Sequence, residues 1–162
     1  MLTNALIYED APTPDYAPIL NSIARCDDPR KLNNFIQNAA RKNVYVVKTA
    51  AIRRFASLVP DHIPGTFAYD FWQMINAYEA VLSELRRTRI RLEKTRARVE
   101  ETGMEPVLIH WVLTHRQPHI TDRLIHDNMT DLTADAVLLR HKSRFPAKAR
   151  KAALKSLNAP GR

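Results

Sequence analysis

The sequence predicts an all-α protein, a helical bundle built around one long central helix. Three observations lead to this class. Apolar residues recur every three or four positions through most of the chain. Only three glycines occur in 162 residues, and most of the ten prolines fall between the periodic runs. No segment combines period-two alternation with the glycine-rich turns that a sheet needs.

Three regions follow: residues 1–27 as an arm and short helix, 28–145 as a single helical domain, and 146–162 as a basic tail. Pro12, Pro14 and Pro18 keep the start of the chain extended, an arm that Leu6, Ile7 and Tyr8 can dock. A short helix is expected from about Ala17 to Cys26. Asp28 then supplies an N-cap oxygen with Pro29 at the first helical position, a strong start signal. The helix it opens carries Leu32, Phe35, Ile36 and Ala39 on one face, and Asn43 stops it. Val47, Ala51, Phe55 and Leu58 make a third stripe, which Pro60 and Pro64 close.

Gly65 and Gly103 bracket a run without Pro or Gly from Thr66 to Thr102. It is expected to form one helix of about 50–55 Å. Thr66 can cap its start, and Gly103 suits a positive φ past its end. Its stripe runs Phe71, Ile75, Tyr78, Leu82, Leu85, Arg89, Leu92, Arg96, Val99, with heptad-like spacing. Two arginines on that seam divide it: the proximal half is built for burial, and the basic distal half is expected to leave the core. Beyond Gly103, Pro106 opens a helix with Val107, Leu108, Trp111 and Val112. Pro118 starts another with Ile120, Leu124 and Ile125, and Thr133 caps a third with Ala136, Val137 and Leu138. Pro146 ends this three-helix segment, and the tail after it is either a basic amphipathic helix or disordered.

The net charge of +8 is unevenly placed. Residues 1–28 carry −4, residues 86–98 carry +6, and residues 136–162 carry +8 without a single acid. Such segregation marks a polarised surface that attracts anions. The single cysteine, Cys26, excludes an internal disulfide framework, and three glycines cannot build a phosphate-binding loop. The first ten residues lack a secretory pattern, and no apolar run is long enough to cross a membrane. A cytoplasmic protein is expected, nucleoid-associated if the basic blocks bind DNA.

The expected contact residues are therefore Arg86, Arg87, Arg89, Arg91, Lys94, Arg96 and Arg98, followed by Arg140, Lys142, Arg144, Lys148, Arg150 and Lys151. Glu93 is the only acid between Glu84 and Glu100, so local ion pairs cannot neutralise the first block. Nucleic acid, DNA ahead of RNA, is the expected partner, gripped through its phosphates by a homodimer without catalysis or cofactor. A membrane surface is not expected, because no continuous apolar face lies opposite the charges.

Two other functions stay open. The long helix could be the dimer arm of a scaffold that binds an acidic partner. A nuclease or its accessory subunit could use Asp122, Asp127, Asp131 and Asp135, although acids at turns and caps are ordinary. Residues 118–145 have the outline of a helix-turn-helix, yet Ala134–Leu139 offers few side chains able to read bases. His115 and His119 have metal-ligand spacing, but Pro118 between them breaks the helix and no metal is expected. His126 beside Asp122 or Asp127 could form an acid–base pair. Trp72, Trp111 and their aromatic neighbours are expected in the core rather than on a stacking platform.

Overall fold

Helix α4, Phe67–Arg86, runs through the middle of the molecule and packs against four other helices. The structure, a computed structural model, describes residues 14–159, so the proposed docking of Leu6, Ile7 and Tyr8 lies outside the described residues. Among the described residues the protein is all-helical, with no strand. The helices before α4 are α1 (Ala17–Arg25), α2 (Pro29–Arg41) and α3 (Tyr45–Ala56). After it come α5 (Glu93–Thr102), α6 (Met104–Leu113), α7 (Pro118–His126), α8 (Ala134–Arg140) and α9 (Ala147–Leu157). Short 3-10 turns at Thr130–Leu132 and Lys142–Arg144 flank α8.

The caps form where local chemistry demands them. The Asp28 carboxylate accepts from the Arg30 N–H at 2.8 Å with Pro29 at the start of α2. Thr66 Oγ1 accepts from Tyr69 N–H, and Thr133 Oγ1 from Ala136 N–H, each at 3.3 Å. Asn43 and Asn128 take the left-handed backbone that ends α2 and α7, a conformation asparagine tolerates.

Burial follows the stripes. Leu32, Ile36, Val47, Ala51, Phe71, Ile75, Tyr78, Leu108, Val112, Ile120, Leu124, Val137 and Leu138 share one core. Trp72 and Leu82 are half-buried against it, and Leu85 is exposed. Polar links tie the helices together inside. The Tyr78 hydroxyl lies 2.6 Å from Thr121 Oγ1, and Asn76 Nδ2 donates to the Ala56 and Leu58 carbonyls closing α3.

The expected long helix is not one helix. It stops at Arg86, Arg87 turns left-handed at φ 54°, and the chain restarts as α5 at Glu93. No Gly or Pro causes the break; tertiary contacts do. Ser83 Oγ accepts from Ile90 N–H at 2.8 Å, and Glu79 Oε1 accepts from Leu92 N–H at 2.7 Å. A straight helix would leave Leu92 and Val99 in water and Glu79 buried without a cation. Turning back covers both apolar residues and supplies the cation, which outweighs the roughly 1–2 kcal/mol of a left-handed arginine. The heptad seam, and with it the projecting dimer arm of the scaffold reading, disappear with the straight helix.

The tail is likewise part of the fold through residue 157. Helix α9 packs on α8 and α6, burying Ala149, Ala153 and Ser156. Ser156 Oγ donates to Asp135 Oδ2 at 3.0 Å inside that contact. Ile23 of α1 belongs to the same core, so the divisions at 27/28 and 145/146 cut through one packed unit.

Candidate nucleic-acid interface

The seven cations of residues 86–98 separate into two groups once the chain turns at Arg87. Arg96 points inward. Its guanidinium meets Glu79 through two hydrogen bonds of 2.9 Å, reaches Asn76 Oδ1 at 3.0 Å and lies 5.2 Å from the Trp72 ring centre. Glu79 is 4% exposed, so Arg96 neutralises a buried carboxylate and is not available to phosphate. Arg91 holds Glu93 at 3.1 Å with both side chains in water, an exchangeable surface pair. The other five, Arg86, Arg87, Arg89, Lys94 and Arg98, are exposed and form no ion pair among the described residues.

The C-terminal block divides in the same way. Arg140 contacts the Asp70 carboxylate at 3.0 Å and the Asp131 carbonyl at 2.7 Å. Asp70 also meets His141 Nε2 at 2.7 Å, so the Arg140–His141 pair clamps the end of α8 to the start of α4. Arg144 pairs with Glu105 at 3.1 Å and lies 5.1 Å from the Phe67 ring centre. Arg96 and Arg140, expected as phosphate contacts, are therefore built into the fold, whereas Arg144 and Glu105 form an exposed, exchangeable pair like Arg91 and Glu93. Lys142, Lys148 and Lys151 are exposed and Arg150 is half-buried, all four without an ion pair among the described residues. Helices α5 and α9 both pack on α6, so the two basic segments flank one element.

The helix-turn-helix outline does not yield a groove-reading helix. Helix α8 is seven residues long and buries Ala134, Asp135, Val137 and Leu138, while α9 covers it. Its exposed arginine, Arg140, is held by Asp70. A helix so enclosed cannot enter a major groove.

The carboxylates of residues 122–135 are engaged by different partners. Lys48 Nζ lies 3.1 Å from Asp127, which also meets Arg123 at 3.1 Å and His126 Nδ1 at 2.9 Å. Burial pushes the Asp127 pKa up, but the hydrogen bonds from His126 and Lys48 and the charges of Lys48 and Arg123 outweigh it and hold the carboxyl below its usual range. Arg53 grips Asp131 through two bonds of 2.9 Å, which lowers that carboxyl and raises the arginine. Asp135 holds Ser156. Among the described residues no three His, Cys, Asp or Glu side chains converge as a metal site would require. No helix among them is long and apolar enough to cross a membrane.

One basic residue escaped the sequence-based set. Arg116, in the turn between α6 and α7, lines a hollow of about 390 Å³ together with Lys94 and Arg98 of α5 and His110 of α6. Its signal was present in the sequence, for residues 106–121 hold Arg116 and three histidines and no acid. A lone arginine carries little weight in a linear charge count, and only the packing of α5 on α6 places it beside the basic helix.

The chain matches no protein-family model, and it has no match among the curated proteins or the solved structures.

Proposed function

We propose that the protein binds nucleic acid, DNA in preference to RNA, by gripping backbone phosphates with the exposed cations of residues 86–98 and α9. A single observation carries this reading. Of the acids near the first block, Glu79 is taken by Arg96 and Glu93 by Arg91 within it, and Glu84 by Arg123 outside it. The exposed Glu100 and Glu101 form no ion pair with its remaining cations among the described residues. Five cations then remain in water without a partner among the described residues, and a polyanion is the partner that such a surface attracts. Arg91 joins them by exchanging Glu93 for phosphate. The contacts are to the backbone, so sequence preference is weak.

The scaffold alternative loses its arm, because residues 87–102 fold back instead of projecting. A cytoplasmic or nucleoid-associated location and a homodimer belong to the same proposal and rest on DNA binding alone.

The test is the salt dependence of DNA binding. Five phosphate contacts give a log–log slope of about −4 to −5 with duplex DNA, because each neutralised phosphate releases condensed counterions. Replacing Arg86, Arg87 and Arg89 together by Ala should flatten that slope by up to about 3 without unfolding the protein. Absence of binding by the parent chain at low salt would end this reading.

A further inference from the structure

The hollow lined by α5, α6 and Arg116 differs in chemistry from the open basic surface beside it. Lys94 and Arg98 stand one turn apart on the same face of α5 and line one wall. His110 of α6 and Arg116 of the following turn line it as well. No carboxylate lines this hollow, and its cations form no ion pair among the described residues. Three like charges around one concavity repel each other, and an anion seated among them turns that repulsion into attraction. The apolar part of the lining is the exposed Pro106 with small edges of Val107 and Trp111, each 4% exposed.

Arg116 is held in place by the backbone. Its neighbours His115 and Gln117 both adopt left-handed φ, 46° and 54°, an arrangement disfavoured for residues other than glycine. The turn is pinned by Arg116 N–H donating to the Trp111 carbonyl at 2.9 Å and by Ile120 and Thr121 N–H groups donating to the Gln117 carbonyl at 3.1 Å. The backbone that carries Arg116 is thus a hydrogen-bonded turn.

We infer that this hollow is a nucleotide pocket, which seats one unpaired nucleotide with its phosphate among Lys94, Arg98 and Arg116 and its base or sugar against Pro106 and the exposed edges of Val107 and Trp111. The inference takes its ligand class from the nucleic-acid reading above and adds strandedness to it. At about 390 Å³ the hollow lies at the small end of ligand pockets, enough for a nucleotide and too little for a duplex. A duplex is convex and keeps its bases inside, so it can touch only the rim. A single strand can turn one nucleotide into the hollow, where the cations and the apolar part of the lining act together. Single-stranded ends or gaps are therefore the preferred target, and a free nucleoside monophosphate shares the same chemistry.

The experiment compares a labelled, 5′-phosphorylated single strand with a duplex of equal length, using the parent chain, Arg116→Gln and Arg98→Gln. Circular dichroism checks that each variant keeps its helical spectrum. Each variant should weaken single-strand binding about tenfold, the effect of losing one charge-assisted phosphate contact. Arg116→Gln should change duplex binding far less. Thymidine monophosphate should compete with the single strand, and inorganic phosphate at equal concentration should not. Unchanged single-strand affinity in both variants would overturn the pocket and leave the polyanion reading standing. Equal competition by inorganic phosphate would overturn it too, because the apolar lining would then contribute nothing. If the parent binds thymidine monophosphate but no strand of either kind, and Arg116→Gln abolishes that binding, the pocket stands and the nucleic-acid reading falls.

Discussion

Arg96 and Glu79 face each other across the turn that replaces the expected straight helix, joined by two hydrogen bonds of 2.9 Å. Glu79 also accepts from the Leu92 N–H, so one buried carboxylate holds both the backbone that enters α5 and the side chain that α5 presents. This pair ties α5 back to α4, and Lys94 and Arg98 line the hollow where α5 packs on α6.

Arg96→Ala should be strongly destabilising, by about 3–5 kcal/mol, because it leaves Glu79 buried without its cation. Arg89→Ala, at an exposed position, should change stability by less than about 0.5 kcal/mol. Urea unfolding of the two variants decides the matter. Equal effects would mean that the division into structural and exposed arginines is wrong.

Ile75 has no exposed surface at the centre of α4, and Ile75→Ala should cost about 2–5 kcal/mol. The same measurement extends to α9. Ala153 is fully buried where α9 joins the core, so Ala153→Leu should cost about 1–3 kcal/mol through overpacking. A neutral Ala153→Leu would show that residues 147–157 are not docked in solution.

The acid limb of stability should depend on Asp127. Its folded pKa lies below the ordinary value of 3.8, so the pairing with Lys48, Arg123 and His126 contributes fully above that value. The contribution falls away as pH drops through the lower folded pKa. Asp127→Asn should lower stability at neutral pH and flatten the decline below about pH 4. Thermal melts between neutral and acid pH check this; an acid limb identical to the parent's would remove Asp127 from that role.

Gly103 joins α5 to α6 at φ 92° and ψ 169°, a region that side chains beyond hydrogen rarely occupy. Gly103→Ala should cost about 1–3 kcal/mol from backbone strain, although the added methyl would meet only Pro106 Cδ at an ordinary 3.8 Å. Because this turn aligns the two helices lining the hollow, the variant should also weaken single-strand binding, measured by the same titration.

The local features of this protein were settled by its sequence. Asp28–Pro29, Thr66, Thr133 and Pro118 place helix starts through short-range chemistry, and the apolar stripes of α2, α3, α6 and α7 name the core. The all-helical class follows from those periods, and so does the location of the cationic blocks. Which cations are free could not be read along the chain. Arg96 and Arg89 occupy equivalent seam positions in the sequence, and only the distance from Glu79 separates a structural arginine from an exposed one. The turn at Arg87 was hidden for the same reason, since no local breaker marks it and its energy comes from groups on α4. Arg116 joins the basic surface only through helix packing. Hydrogen bonding and ion pairing between distant segments depend on geometry in three dimensions, which a one-dimensional pattern of charge and hydrophobicity does not contain.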